Sequence, residues 1–204
     1  YGIAGAEDVP LVGEFIPDGQ ITSSISYGSP QENDQSNFGT GYSYQRTGFG
    51  KVDVLVNCAG ANTKKDKIID INLDDLRYMF ELNCVSALGM IQEVYPLMAQ
   101  RKQGLFVNIL SSCCLFNNPM TGSYSASKDA MEGISKILTK EAKADNIGVC
   151  NVYPGGVDTN FRAVANPNYL KPETIAKMIK NCMEIEEGCV HDIVFRPFIE
   201  DNLP

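Results

Sequence analysis

The order of apolar runs after residue 50 constrains this chain more than any other feature. VDVLVN (52–57) reads as a short strand and is followed by the turn-like CAGA. Residues 73–103 carry apolar side chains at 76, 79, 80, 84, 87, 90, 91, 94, 97 and 98, a helical stripe broken by the polar Asn83. LFVNILSS (105–112) is a second strand, and 123–146 is a long helix entered through Gly122 and Ser123. IGVCNVYPGG supplies a third strand. Residues 171–188 form a helix with Pro172 suited to its first turn, and CVHDIVFRP (189–197) is a fourth strand. Strand and helix in this alternation predict an α/β fold: a doubly wound, Rossmann-like parallel sheet with helices on both faces.

Residues 1–50 follow no such pattern. They hold nine of the 18 glycines, six acids and a single basic residue, Arg46. VPLVGEFIP and QITSSISY are expected to form at most short edge strands. The expected organisation is a single domain with an atypical, largely irregular segment at 1–50 and a Rossmann-like catalytic region at 51–204. With 17 Lys/Arg against 25 Asp/Glu the formal charge is −8, which argues against nucleic-acid or anionic membrane partners. No apolar run reaches the length of a membrane span, and no basic-then-apolar leader opens the chain. Seven cysteines without a CxxC pair suggest free thiols in a cytoplasmic protein and no metal site, with Cys113 and Cys114 serving packing.

GSYSASKDA (122–130) carries the chemistry. If it is helical, Tyr124 and Lys128 lie one turn apart on one face. An ammonium beside a phenol favours the phenolate, which suits the phenol for proton exchange with a substrate oxygen.

In this order, strand 105–112, helix 123–146 and YPGGVDT resemble the short-chain dehydrogenase/reductase family, over about residues 48–197. FGKVDVLVNCAGA resembles the segment ending in the family's Asn-Asn-Ala-Gly motif, with Cys58 replacing the second asparagine. Asn83 in FELNCVSA matches the helix asparagine of the family's catalytic tetrad. Ser111 in VNILSS, 13 residues before Tyr124, matches its serine. Tyr124 and Lys128 match its Tyr-x-x-x-Lys pair, and YPGGVDTNF resembles the Pro-Gly segment that passes the nicotinamide end of the cofactor. The resemblance implies an oxidoreductase that moves a hydride between NAD or NADP, not distinguished, and a small to medium carbonyl or alcohol substrate. It implies Tyr124 as general acid/base, Lys128 on the phenol and a ribose hydroxyl, Ser111 on the substrate oxygen, and Asn83 holding a relay water. Asn57, Ala59, Gly60, Pro154, Gly155, Val157 and Thr159 would then lie on the cofactor side with Tyr124 and Lys128. Tyr95 and Met98 are expected to extend the apolar stripe of 73–103 toward a partner, and the family's habit of pairing its long helices implies a homodimer or homotetramer.

Read from the residues alone, Asn83 could equally satisfy a neighbouring backbone group, Ser111 could simply end a strand, and Thr159 could cap a turn. His191 reads as structural, and Arg196 as facing solvent or a subunit contact. Phe116, Met120, Phe161 and Tyr169 could line a substrate wall or a core, and the short interval 162–170 implies an open pocket.

One family element is not spelled in residues 1–50: the Thr-Gly-x-x-x-Gly-x-Gly turn that lets a pyrophosphate approach a helix N-terminus. Three accounts therefore stay open. The chain is an oxidoreductase with an incomplete or unusually supplied half-site, an inactive dehydrogenase-like scaffold, or a binder of another ligand that uses the tyrosine for non-redox acid–base chemistry.

Overall fold

The computed structural model describes residues 52–159, 161, 166–185 and 187–200, together with the backbone of five short strand segments in the first 51 residues. The chain divides into two compact units, Tyr1–Lys51 and Val52–Pro204. In the first, Ser43–Gln45 pairs antiparallel with Gly2–Ala4 and Gly19–Gln20, and Ser23–Ser24 pairs parallel with Gln35–Ser36. The edge strand expected in VPLVGEFIP lies outside the described residues.

The second unit is an α/β sheet. Strands β1 (Val54–Asn57), β2 (Gly104–Ile109), β3 (Ile147–Pro154) and β4 (Asp192–Phe195) lie side by side in sequence order, all parallel. Helices α1 (Leu73–Phe80), α2 (Ser86–Arg101), α3 (Gly122–Glu141) and α4 (Pro172–Met183) connect them. Asn72 starts α1 by accepting from the Asp74 and Asp75 N–H groups. Lys102 and Asn146, both left-handed, end the two long helical stretches. Among the described residues no helix is long and apolar enough to cross a membrane.

Successive strand residues face opposite sides, so each strand feeds two cores. Phe106, Val149 and Tyr153 pack against Ile91, Val94 and Met98 of α2 and Met131 and Leu138 of α3. Val107, Cys150 and Val152 face the other way, where Ile179 of α4 packs. The helices thus cover both faces, as the alternation predicts.

The expected 73–103 helix is continuous but not uniform. A π-turn, Glu81–Val85, separates α1 from α2 and includes Asn83. Strand β2 stops at Ile109, short of Ser111, because Ser111 accepts from the Cys113 N–H and caps a 3₁₀ turn at Ser112–Cys114. Helix α4 ends at Met183, five residues early, and β4 spans only Asp192–Phe195.

Tyr95 and Met98, expected to extend an apolar stripe toward a partner, instead belong to the chain's own core. Met98 is fully buried. Tyr95 stacks on Phe106 and donates to Asp145, a bond that pushes its phenol up to about 12.

A polar row crosses the first core. Asn57, Asn108, Asn151 and Asp192 occupy matched positions on the four strands. Asn57 Nδ2 donates to Asn108 Oδ1 (2.8 Å), and Asn108 Nδ2 donates to Ser135 Oγ on α3 (2.7 Å). Ser135 Oγ donates to Asn151 Oδ1, and Asn151 Nδ2 to Asp192 Oδ1 (3.0 Å). Ser135, Asn108 and Asn151 are almost wholly buried, so each hydrogen bond replaces one to water and none is dispensable. Ser135→Ala leaves an amide N–H of Asn108 and the carbonyl oxygen of Asn151 unsatisfied. It should lower unfolding stability by about 2 kcal/mol or more, measured by urea denaturation. A loss below about 0.5 kcal/mol would show that the row carries no stability.

Candidate active site

The site forms where the ends of β1, β2 and β3 meet the first turns of α3. An open cleft of about 1120 Å³ lies there, larger than the roughly 300–1,000 Å³ usual for a single drug-sized ligand. Of the residues predicted from sequence, Gly60, Ser111, Tyr124, Lys128, Pro154, Gly155, Val157 and Thr159 line it. Asn57, Ala59 and Asn83 do not. Asn57 turns its side chain into the polar row, and Asn83 is buried behind the cleft wall.

Asn83 holds the CAGA turn. Its Nδ2 donates to Ala61 O and to Ser127 Oγ (each 2.9 Å), and its Oδ1 accepts from Ala61 N–H (2.8 Å). Both donors are spent and one acceptor lone pair remains. The turn runs so close that a Cβ at Gly60 would lie 2.9 Å from Asn83 Oδ1 and 3.3 Å from Lys128 Nζ. Only glycine leaves this space open beside the ammonium.

Helix α3 places Tyr124 and Lys128 one turn apart. Lys128 is buried, and its Nζ donates to Ile109 O at the end of β2 (2.8 Å). One of three ammonium donors is thereby used, and the other two N–H groups suit hydroxyl acceptors entering the cleft. Burial holds its pKa below the ordinary lysine value, although nearby cysteines oppose the shift. The Tyr124 ring, half-buried, meets Phe161 at a tilt, with centroids 6.0 Å apart.

The Pro154–Thr159 segment is fixed from two sides. Asp158 N–H donates to Leu170 O and Leu170 N–H to Gly156 O, and Glu200 Oε1 accepts from Gly156 N–H (2.7 Å). Thr159 Oγ1 accepts from Phe161 N–H, the turn-capping role that its residue type allows. Phe116, Phe161 and Tyr169 reach the cleft, whereas Met120 does not. The interval expected to leave an open pocket includes residues 162–165, which lie outside the described residues. His191 packs its ring against Val149 O, just before β4.

Arg196 requires a correction. It does not face solvent: its side chain is only 11% exposed, lines the cleft and pairs with Glu200. The signal was weak, because its partners Glu200 and Phe116 sit in irregular chain. Cys113 also lines the cleft. Its hydrogen bond with Cys114 holds the Cys113 thiol below the usual range and pushes that of Cys114 up, and the Ser111 and Ser125 hydroxyls add to the first effect.

Lys128 gives a stability prediction of definite sign. Its folded pKa is depressed, so the folded state penalises the ammonium. That penalty is complete below the folded pKa and disappears above the unfolded value near 10.5. The ligand-free Lys128→Met protein should therefore be more stable than wild type at neutral pH, by about 1 kcal/mol or more. The advantage should narrow as pH rises through the folded pKa. Denaturation midpoints from pH 7 to 10 check this, and a variant less stable at pH 7 would contradict it.

Known proteins resemble this chain in sequence and in fold. The family described as short chain dehydrogenase matches residues 33–170. The chain is 34% identical over 114 residues to mouse dehydrogenase/reductase SDR family member 7, covering 55% of this chain and 33% of that protein. It is 29% identical to an NADP-dependent 3-hydroxy acid dehydrogenase of Schizosaccharomyces pombe, covering 70% and 60% respectively. The chain thus spans from a third to three fifths of the length of these relatives. Among solved structures, an alcohol dehydrogenase of Thermococcus sibiricus complexed with 5-hydroxy-NADP superposes with a TM-score of 0.69 at 20% identity, covering 76% of this chain and 67% of that one. With the match extending over most of its length, the chain belongs to the short-chain dehydrogenase family.

Proposed function

We propose that the chain reduces a small to medium carbonyl compound, or oxidises the corresponding alcohol, with NAD or NADP as co-substrate. One observation carries the reading: Tyr124, Lys128 and Ser111 line a single cleft beside the glycine-sized gap at Gly60. The residues present fit the nicotinamide-ribose end of a dinucleotide. Gly60 leaves room against Lys128 Nζ, two Lys128 donors are available, and the Pro154–Thr159 backbone borders the same space. The NADP dependence named for the fission-yeast 3-hydroxy acid dehydrogenase supports the same co-substrate class.

When bound, the nicotinamide supplies the two electrons, as a hydride to the carbonyl carbon. Tyr124 gives its phenolic proton to the carbonyl oxygen as the C=O π bond breaks, and takes a proton back in the oxidation direction. The Lys128 ammonium favours the phenolate as the proton leaves Tyr124, and its remaining donors would hold ribose hydroxyls. Ser111 donates to the substrate oxygen while its Oγ keeps accepting from Cys113 N–H, so its backbone turn fixes where that donor points. Asn83 holds the turn carrying Gly60, and its one spare lone pair accepts from a relay water behind Lys128.

Tyr124→Phe removes only the transferable proton. Turnover of a small ketone with NADPH or NADH should fall at least about a hundredfold while cofactor binding persists. Lys128→Ala should weaken both. Stopped-flow absorbance for turnover and fluorescence titration for binding separate the two effects, and a Tyr124→Phe protein of undiminished rate would refute the assignment.

Leu97 on α2 and Ile137 on α3 are half-exposed, which supports assembly as a homodimer or homotetramer through these helices. Sedimentation at micromolar concentration should give at least twice the monomer mass. A monomer alone would exclude that assembly.

A further inference from the structure

Charge in the cleft opposes charge in the chain. The whole sequence carries −8, yet the described charged residues lining the cleft are Lys64, Lys65, Lys128 and Arg196, with Glu200 the single acid among them. Glu200 is already neutralised, since Oε2 accepts from Arg196 Nε (2.9 Å) and Oε1 accepts from Gly156 N–H. Lys64 is paired with Asp66 and Asp75 and Arg196 with Glu200, so Lys65 and Lys128 carry the charge left over among the described residues, and the local field favours an anion.

Arg196 is the group with capacity to bind one. Its guanidinium lies over the Phe116 ring, 4.7 Å from the centroid, and Glu200 engages only the Nε side. Nη1 is buried and has no hydrogen-bond partner among the described residues. A buried, charged donor without an acceptor is costly, and a carboxylate supplies two acceptors in the geometry a guanidinium edge offers. Its position selects the source of that carboxylate. Arg196 follows β4, its partner Glu200 holds the Pro154–Gly156 turn, and Phe116 belongs to the loop that leaves Ser111. This is the reacting end of the cleft.

We propose that Arg196 binds the carboxylate of the substrate, so that the cleft acts on oxo acids and their hydroxy acids rather than on neutral ketones. The proposal rests on the hydride-transfer reading for its chemistry, not for its recognition. The reaction is balanced by that reading: the carbonyl carbon gains a hydride from NAD(P)H, its oxygen gains a proton from Tyr124, and the carboxylate is unchanged throughout.

The test compares pyruvate, acetoacetate and levulinate with their methyl esters. Binding is read by saturation-transfer NMR and turnover by oxidation of NADPH or NADH, in wild type, Arg196→Gln and Arg196→Lys. At least one oxo acid should be preferred to its ester by about tenfold to a hundredfold in wild type. Arg196→Gln should bring that ratio close to one, and Arg196→Lys, which keeps the charge and the pairing with Glu200, should retain part of it. Absence of any acid preference in wild type overturns the proposal, as does a preference unchanged in Arg196→Gln. A selective loss of NADP over NAD affinity in Arg196→Gln also overturns it, because the guanidinium would then serve a cofactor phosphate. An Arg196-dependent acid preference in binding without oxidation of either NADPH or NADH supports the proposal and removes the hydride-transfer reading. NADPH oxidation with no acid preference does the reverse.

Discussion

The row of hydrogen bonds from Asn57 through Asn108, Ser135 and Asn151 to Asp192 is the constraint on which the rest of the described sheet depends. Apolar contacts alone tolerate a strand shifted by two residues, since the same face stays inward. Buried amides do not, because a shifted partner leaves donors unsatisfied. The row therefore fixes the register of four strands at one level. It also fixes helix α3, because Ser135 projects from that helix into the row. Lys128 lies two helical turns before Ser135 and so faces the same side, toward the end of β2, where its Nζ reaches Ile109 O. Tyr124 is one further turn along. The position of the candidate acid/base pair thus follows from an amide row in the core.

The cleft also shows where the fold gives up stability. Among the described residues, buried Lys128 has a single carbonyl acceptor and Arg196 keeps an unsatisfied nitrogen beside Phe116. Groups of this kind lower stability in the free chain and become useful when a ligand supplies the missing partners. Asn83 does the opposite. Its amide is committed to the Ala61 backbone and Ser127, which makes the wall behind Lys128 rigid. The π-turn around Asn83 shifts the helical register there, so the residue looks like a polar error in an apolar stripe when read as ordinary helix.

That polar interruption was legible in the sequence, as were the strand–helix order and the Tyr124–Lys128 spacing, because each depends on local periodicity. The partners of Asn83 and of the strand asparagines were not. Asn57 meets Asn108 and Asn108 meets Ser135 only after parallel pairing brings distant segments together, and no local pattern encodes that meeting. Tyr95 and Met98 mislead for a related reason: an apolar residue on a helix does not reveal whether its own sheet or another chain covers it. The solvent-facing alternative for Arg196 fails because Arg-Pro after a strand has the composition of a surface turn, while burial comes from Glu200 and Phe116. Strand ends were also hard to place, since Ser111 and Ser112 suit a β strand but are drawn into a capped 3₁₀ turn.

The central claim is that this cleft moves a hydride onto a carbonyl carbon while a side chain of α3 supplies the proton. Isotope transfer tests it most directly. The chain is incubated with nicotinamide cofactor deuterated at C4 and a small carbonyl substrate, and the product is read by mass spectrometry. The account predicts one deuterium on the carbinol carbon, delivered to a single face. A product alcohol without deuterium, or no alcohol at all from protein that binds the cofactor, would contradict it.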